Sequence, residues 1–249
     1  RACHSHTGRR PTGAPTRRGM TPARLIDATP VTDDWWLIRI EWTAESPAPG
    51  QWLWLDLNGQ RCCLPVRDAD TGEGWLAGIL PGAQLPSGLR PGMPATVSPL
   101  QGQPIQTNAS DRLLIVGEDL GVGPAIALAE RHADRTRLAL LGGKHGLPGR
   151  LVPSRFFIPA LADIAIAGLA SLEQAGVPAR IALSDDRPGV HEGSVLDLLG
   201  RYLSDTPAET RKTLRLIAFG SWHSLHPFRD GVAATVNSVE WVELPAKPA

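Results

Sequence analysis

The sequence predicts a chain in two parts: a small antiparallel β-barrel, followed by a parallel sheet with flanking helices. Two observations lead to this fold class. Up to about residue 106, short apolar segments alternate with turns, Pro-Gly pairs stand at 49–50, 81–82 and 91–92, and no segment has a helical period. From residue 111 onward, short apolar strands alternate with amphipathic helical segments, which is typical of a doubly wound sheet.

The barrel half contains segments rich in aromatic and β-branched residues, and six of the eight tryptophans fall between residues 35 and 75. The predicted strands are 33–42, 51–57, 74–80 and 94–100. In the second of these, Trp52 and Trp54 alternate with Leu53 and Leu55, so both faces are apolar and we expect the strand to be covered on both sides.

The second half reads as alternating strands and helices. The predicted strands are 111–117, 137–143, 179–186, 213–220 and 239–244, and the predicted helices are 124–134, 166–176 and 194–203. Gly176 is the expected C-cap of the middle helix. Residues 145–163 hold three prolines and a Phe-Phe pair without a clear period. They predict either a surface loop that packs its aromatic residues on the body or a contact for a partner.

Small polar residues at 107–110 suit a linker. We therefore predict a barrel domain at 20–108 and an α/β domain at 109–249. Residues 1–19 lack large aliphatic side chains and an apolar core of the signal-peptide kind, which indicates a disordered extension or upstream sequence before Met20. Within this stretch, residues 3–6 (Cys-His-Ser-His) resemble a metal-binding pattern without partner ligands.

Composition excludes several classes of function. Lys plus Arg and Asp plus Glu number 25 each, so no global charge favours nucleic acid or an anionic membrane. No apolar run is long enough to predict a membrane span. Three cysteines provide neither a disulfide framework nor the ligands of an iron–sulfur cluster, and a reducing cytoplasm is the expected location. The adjacent pair Cys62-Cys63 predicts either a redox-active site or small apolar fillers of a strand.

Four turns follow the predicted parallel strands at their carboxyl ends, where ligands of such sheets bind. Glycines permit close approach of a phosphate, a helix start offers free N–H groups, and Lys144 is a candidate phosphate partner. The same glycines are also common where any strand turns into a helix, and two acids, Glu118 and Asp119, interrupt the first turn. Together the turns predict a nucleotide-binding crevice with these candidate residues: Gly117, Leu120, Gly121, Val122, Gly123 and Pro124; Gly142, Gly143 and Lys144; Asp185 and Asp186; Phe219, Gly220 and Ser221.

The order of these motifs resembles the ferredoxin–NADP reductase superfamily, with its Rossmann-like nicotinamide domain. Residues 117–124 are similar to that superfamily's "GGGIGVAP" turn, and 49–51 to its "PGQ" strand. Asp185-Asp186 with Gly193, Val195 and Asp197 resembles a motif of the electron-transfer subunits of dihydroorotate dehydrogenase, which are the most similar group. The resemblance covers roughly residues 21–232 and implies two cofactors, FAD and NAD(P)H.

The resemblance places the flavin between Pro65, Val66 and Arg67 on one side and Phe219 on the other. It places the nicotinamide cofactor across 117–124, with 142–145 and Asp185-Asp186 near its adenosine half. The flavin strand departs from the family pattern, because Leu64 stands in place of its arginine and Arg67 in place of its hydroxyl residue. Arg61 and Arg67 are the alternatives for replacing the arginine.

The resemblance implies an oxidoreductase that passes reducing equivalents from NAD(P)H through a flavin to a partner acceptor or catalytic subunit. The alternative is a degenerate, non-catalytic member of the same fold that acts as a binding or regulatory subunit. Phe219-Gly220-Ser221 replaces the family's Cys-Gly-Pro, and the carboxyl-terminal cysteine cluster of the dihydroorotate dehydrogenase subunit is missing. A siderophore-interacting reductase is a further possibility, because 64–67 faintly resembles the flavin strand of that family.

Overall fold

The computed structural model describes residues 19–221 and 225–245. It confirms the predicted fold class: an antiparallel barrel-like sheet is followed by a parallel sheet with flanking helices. Residues 3–6 lie outside the described residues, so the metal-binding pattern stays a prediction. No described helix combines the length and the apolar character that a membrane span requires.

The first sheet has seven strands in the order β4-β3-β7-β1-β2-β6-β5, all paired antiparallel. The strands are β1 (Thr21–Pro30), β2 (Trp35–Glu41), β3 (Trp52–Leu57), β4 (Gln60–Pro65), β5 (Asp68–Asp70), β6 (Trp75–Pro81) and β7 (Pro94–Val97). The sheet curls until β4 and β6 touch. A Cβ at Gly78 would lie 2.5 Å from both Leu64 Cδ1 and the Pro65 carbonyl oxygen. Glycine is required there because the two strands approach so closely.

The second sheet has the order β13-β12-β9-β8-β14-β15, and every pair in it is parallel. Its strands are β8 (Arg112–Glu118), β9 (Thr136–Gly143), β12 (Ala179–Leu183), β13 (His191–Glu192), β14 (Leu214–Gly220) and β15 (Ser238–Glu243). A separate antiparallel pair consists of β10 (Leu151–Pro153) and β11 (Ala167–Leu169). The helices are α1 (Val122–Arg131), α2 (Ala170–Ala175), α3 (Val195–Asp205), α4 (Ala208–Arg211) and α5 (Arg229–Ala233).

Local signals explain where the helices begin and end. Ser194 caps α3 by accepting a hydrogen bond from the Asp197 N–H, and the Asp197 side chain accepts one from the Ser194 N–H in return, which is a capping box. Gly176 follows α2 at φ 80°, as its predicted C-cap position requires. The predicted helix over 166–176 is wrong in its first part, because Ala167–Leu169 is the strand β11 paired with β10. Short apolar runs do not distinguish strand from helix by periodicity alone.

The two sheets share one hydrophobic core on the side of α1 that faces the barrel, and a second core lies beneath α3. Trp52 and Trp54 are both buried, as the two apolar faces of that strand predicted, and their rings meet edge to face. The loop at 145–163 is divided: Phe156 is half-buried, whereas Phe157 is 77% exposed. The linker position near residue 108 remains a prediction.

Candidate functional site

A cavity of about 530 Å³, called the main cavity below, lies where the barrel meets the carboxyl ends of β8, β9 and β14. Parallel pairing of β8 with β9 and β14 brings these strand ends together. The lining residues come from six places along the sequence: Arg61, Cys62 and Cys63; Pro81 and Gln84; Glu118, Asp119 and Leu120; Lys144 and His145; Gly220 and Ser221; and Leu244. A cavity of this size at the strand ends of a doubly wound sheet is the expected position for a ligand.

A second cavity of about 470 Å³ lies beside the first, towards the start of α3. Glu118, Asp119 and Lys144 line both cavities. The other lining residues of the second cavity are Gly143, Ser184, Glu192, Gly193, Ser194 and Val195. Of the predicted site residues, the structure therefore places Leu120, Lys144, Gly220 and Ser221 on the main cavity and Gly143 with Lys144 on the second.

The glycines of the first turn are surrounded by protein. A Cβ at Gly117 would lie 2.6 Å from the Ala125 Cβ, and one at Gly121 would lie 2.3 Å from the Phe219 carbonyl oxygen. A Cβ at Gly123 would lie 3.4 Å from the Ile79 Cβ. These positions are small because β8, α1, β14 and the barrel pack tightly around them, and Val122 and Pro124 are likewise buried. Packing alone accounts for glycine at 117 and 121.

Asp119 has an unusual backbone. It adopts φ 49°, one of two positive values among the described non-glycine residues, and its Oδ1 accepts a 2.8 Å hydrogen bond from the Lys144 N–H. A Cβ at Gly143 would lie 2.6 Å from this same Oδ1. The carboxylate therefore spans the gap between the ends of β8 and β9, and Gly143 leaves the space for it.

Phe219 and Gly142 also lie inside the fold. The Phe219 side chain is completely buried, so it does not line the cavity that its neighbours Gly220 and Ser221 line. A Cβ at Gly142 would lie 2.5 Å from the Ala182 carbonyl oxygen, so this glycine is required by strand packing. Stacking of Phe219 on a ligand would require the ring to leave the core.

The predicted flavin strand contributes to the cavity through residues other than the predicted ones. Pro65 and Val66 are buried, and Arg67 Nη2 lies 3.4 Å from Glu130 Oε2 on α1. Arg67 lines a different groove, shared with Arg150 and α2. Of the two arginines weighed as replacements for the family's arginine, Arg61 is the one on the main cavity.

Asp185 and Asp186 are exposed beyond the end of β12 and line neither cavity. Asp185 pairs with Arg187 at 2.6 Å. Sequence reasoning did not assign Gln84 and Leu244 to the site. Both lie outside the strand-end turns, Gln84 in a short 3-10 turn after β6 and Leu244 just after β15, and no sequence signal marked them.

Burial makes both cysteines of the pair poor nucleophiles. Desolvation, followed by the charge of Asp56, raises the pKa of the Cys62 thiol to about 12. Desolvation also raises the pKa of Cys63 well above its ordinary value, with Cys62 as the second cause. Since the thiolate is the reactive form, the structure favours apolar fillers over a redox pair.

We expect Cys62 and Cys63 of the native protein to react with a thiol reagent such as DTNB only after unfolding. Cys3 lies outside the described residues and would be replaced by serine for this measurement. Absorbance of the released thiolate, followed with and without guanidinium chloride, reports the number of accessible thiols. Rapid reaction of either cysteine in the folded protein would contradict the apolar interpretation and restore the redox one.

No protein family model and no curated protein sequence matches the chain. Solved structures match it well. The ferredoxin reductase in carbazole 1,9a-dioxygenase superposes with a TM-score of 0.63 at 13% identity, over 90% of this chain and 69% of that one. The Amycolatopsis cytochrome P450 reductase GcoB gives 0.64 at 14%, over 90% and 70%. The fold is that of the ferredoxin reductases.

The flavohem-like FAD/NAD binding domain of a Vibrio cholerae nitric oxide dioxygenase gives a TM-score of 0.60 at 10% identity, over 88% of this chain and 96% of that domain. Identities this low establish the fold alone. The superfamily resemblance is thus supported at the level of fold, while the finer likeness to the dihydroorotate dehydrogenase subunit stays a prediction.

The two cofactors that this fold implies fit the described residues unequally. The main cavity combines apolar walls at Leu120, Leu244 and Pro81 with donors at Arg61 and at the Gln84 amide. This mixture fits a flat heterocycle with a polar edge, such as a flavin ring.

The turn at 117–124 does not fit the diphosphate of a nicotinamide dinucleotide. Its glycines are packed against protein atoms, and the Asp119 carboxylate accepts the hydrogen bond of the Lys144 N–H. A phosphate in this crevice would therefore meet buried backbone and a carboxylate in place of a cradle of free N–H groups.

Proposed function

We propose that the protein is a flavin-dependent electron-transfer protein that binds FAD in the main cavity and passes electrons to a partner protein. The observation that carries the proposal is the cavity itself, which is formed by the barrel strand β4 and the carboxyl ends of β8, β9 and β14. Solved reductases with the same fold support the assignment.

Each wall of the cavity has a task that its chemistry suits. Leu120, Leu244 and Pro81 would cover the faces of the ring and exclude water. Arg61 and Gln84 would donate hydrogen bonds to the carbonyl edge of the ring or to phosphate oxygens. A bound flavin supplies both two-electron and one-electron redox chemistry, and the protein supplies binding, orientation and electrostatics.

This assignment requires no side-chain acid or base. The nicotinamide donor that the resemblance implies is not part of the proposal, because the turn at 117–124 does not fit its diphosphate. The flavin would therefore be reduced by a reduced redox protein, and not by a nicotinamide held in this turn. The cavity supports the flavin part of the prediction, whereas the nicotinamide part is supported by the likeness to solved FAD/NAD binding structures alone.

Titration with FAD tests the proposal directly. We expect saturable binding at micromolar concentration, seen as a change in the visible spectrum of FAD and as an increase in Tm. FMN and riboflavin titrated in parallel separate binding of the ring from binding of the phosphates. Arg61→Ala is expected to weaken binding of FAD roughly tenfold, since a charge-assisted hydrogen bond contributes about 1.5–3 kcal/mol.

Arg90→Ala is the matched control, because Arg90 is exposed in a loop and lines neither cavity. Equal weakening by both substitutions would argue against the cavity as the site. Absence of any spectral or thermal response to all three flavins at micromolar concentration would exclude the proposal.

The second candidate is a non-catalytic binding subunit of the same fold. Two observations favour it: Phe219 is buried in the core, and the turn at 117–124 is closed by protein atoms. A fold can persist after its functional site is lost, because the residues that pack the core are largely different from those that bind ligands. A protein that takes up no flavin but forms a stable complex with a partner protein would favour this candidate over the first.

A further inference from the structure

The start of α1 has few free donors for an anion. The N–H of Val122 already donates to the Asp119 carbonyl oxygen, and Pro124 has no N–H. Every residue from 120 to 125 is buried. The N-terminal groups that would bind a phosphate in a nucleotide-binding βα turn are therefore engaged, missing or covered.

The Asp119 carboxylate is held across the crevice. Its Oδ1 accepts a 2.8 Å hydrogen bond from the Lys144 N–H, which follows directly after the end of β9. The residue adopts a left-handed backbone at φ 49°, where asparagine and glycine are the residues best tolerated in its place. Gly143 provides the space that the carboxylate fills.

The charges around the crevice disfavour a second anion. Asp119 and Glu118 lie at the end of β8 and line both cavities there, so a diphosphate placed along the turn at 117–124 would meet two carboxylates. Lys144 is the one cation among the lining residues of the second cavity, which Glu192 also lines. Like charges a few ångströms apart repel strongly where water is partly excluded.

We infer that Asp119 is an internal anion that closes the β8–α1 turn to nicotinamide dinucleotides and to other nucleoside diphosphates. Its carboxylate takes the place that a phosphate oxygen would need and satisfies the Lys144 N–H from within the chain. This inference concerns the turn and does not rest on the flavin assignment.

The test compares NADH and ADP-ribose binding by wild-type protein and two variants. Calorimetry is expected to show no saturable binding of either compound to wild-type protein up to about 1 mM. Asp119→Gly removes the side chain and frees the Lys144 N–H, and Asp119→Asn removes the charge while keeping the shape and the hydrogen bond. We expect Asp119→Gly to bind both compounds at least tenfold more tightly, with Asp119→Asn intermediate.

Asp33→Asn is the control, because Asp33 is an exposed acid in the β1–β2 loop and lines neither cavity. It is expected to behave as wild-type protein. Thermal unfolding of each variant verifies folding, and Asp119→Asn keeps the test valid if the glycine variant is unstable. A Kd of wild-type protein for NADH below about 0.1 mM would overturn the inference. So would two folded variants that bind NADH and ADP-ribose no more tightly than wild-type protein does. Either result is independent of flavin uptake.

Discussion

Replacing Gly121 by valine is expected to destabilise the protein by at least about 3 kcal/mol, enough to unfold a large fraction of it. The smallest added side chain already fails to fit, because a Cβ at Gly121 would lie 2.3 Å from the Phe219 carbonyl oxygen and 2.7 Å from the Phe219 Cβ. The first distance ends on backbone of a central strand, which cannot rotate away. Either α1 or β14 must shift, and both belong to the shared core.

Urea unfolding followed by circular dichroism measures this loss. Gly200→Ala is the matched control, because Gly200 lies on the exposed side of α3 and, apart from its chain neighbours and the adjacent helix backbone, no atom lies within 4 Å of where its Cβ would be. Alanine there is expected to raise the free energy of unfolding by about 0.5–1 kcal/mol through helix propensity. A Gly121→Val protein as stable as wild type would show that the packing around the turn is loose.

Replacing Arg215 by methionine is expected to cost about 2–4 kcal/mol at neutral pH, since it leaves two acids without their cation. Arg215 Nη1 donates to Asp111 Oδ2 at 2.8 Å and Nη2 donates to Glu240 Oε2 at 2.7 Å. Arg215 and Asp111 expose only 15% and 12% of their side chains, while Glu240 exposes 32% and is better screened by water. The cluster ties the start of β8 to β14 and β15.

The same cluster predicts a pH dependence. Desolvation raises the pKa of Asp111, but the Asn108 N–H and the hydrogen bond and charge of Arg215 outweigh it, so the pKa of Asp111 lies below its ordinary value. A lowered carboxyl pKa stabilises the folded state above the unfolded-state pKa of about 3.9 and loses this contribution as pH falls through the folded-state value. The difference in the free energy of unfolding between wild-type protein and Arg215→Met should therefore become smaller below about pH 4.

Urea midpoints measured between about pH 2.5 and 7 reveal this narrowing. Lys212→Met is the control, because its pair with Glu209 spans 3.5 Å between side chains that are 70% and 89% exposed. That change is expected to alter the free energy of unfolding by less than about 0.5 kcal/mol at any pH. If the difference in the free energy of unfolding between wild-type protein and Arg215→Met does not change with pH, the arginine acts through packing of its aliphatic stem and not through Asp111.

The sequence predicted most of the fold because its two periodicities are local. Alternating apolar residues mark the barrel strands, and the alternation of strand and helix marks the parallel sheet. The predicted helix at 166–176 is wrong at its start because Ala167–Leu169 is a short apolar segment, which is compatible with either a strand or a helix. Its pairing with β10, which lies earlier in the chain, makes it a strand, and no local pattern reveals that pairing.

The site was less predictable because the direction of each side chain depends on tertiary packing. Arg61 and Arg67 are similar candidates in the sequence, yet one lines the main cavity and the other pairs with Glu130 on α1. A glycine at 121 indicates that another part of the chain lies close to it, but the sequence does not show which part. In the structure the neighbouring residue is Phe219. The hydrogen bond from the Lys144 N–H to Asp119 joins residues 25 apart in the sequence, which no local pattern reveals.

Among the described residues, several contacts tie the barrel to the parallel sheet and α1. The Trp35 Nε1 donates to the His145 carbonyl oxygen at 2.8 Å, Arg67 pairs with Glu130, and a Cβ at Gly123 would meet Ile79 at 3.4 Å. The loop carrying His145 is also a wall of the main cavity. The cavity is therefore preorganised: its walls are arranged when the chain folds, so a ligand would lose less affinity to loop ordering than in a cleft that must close around it.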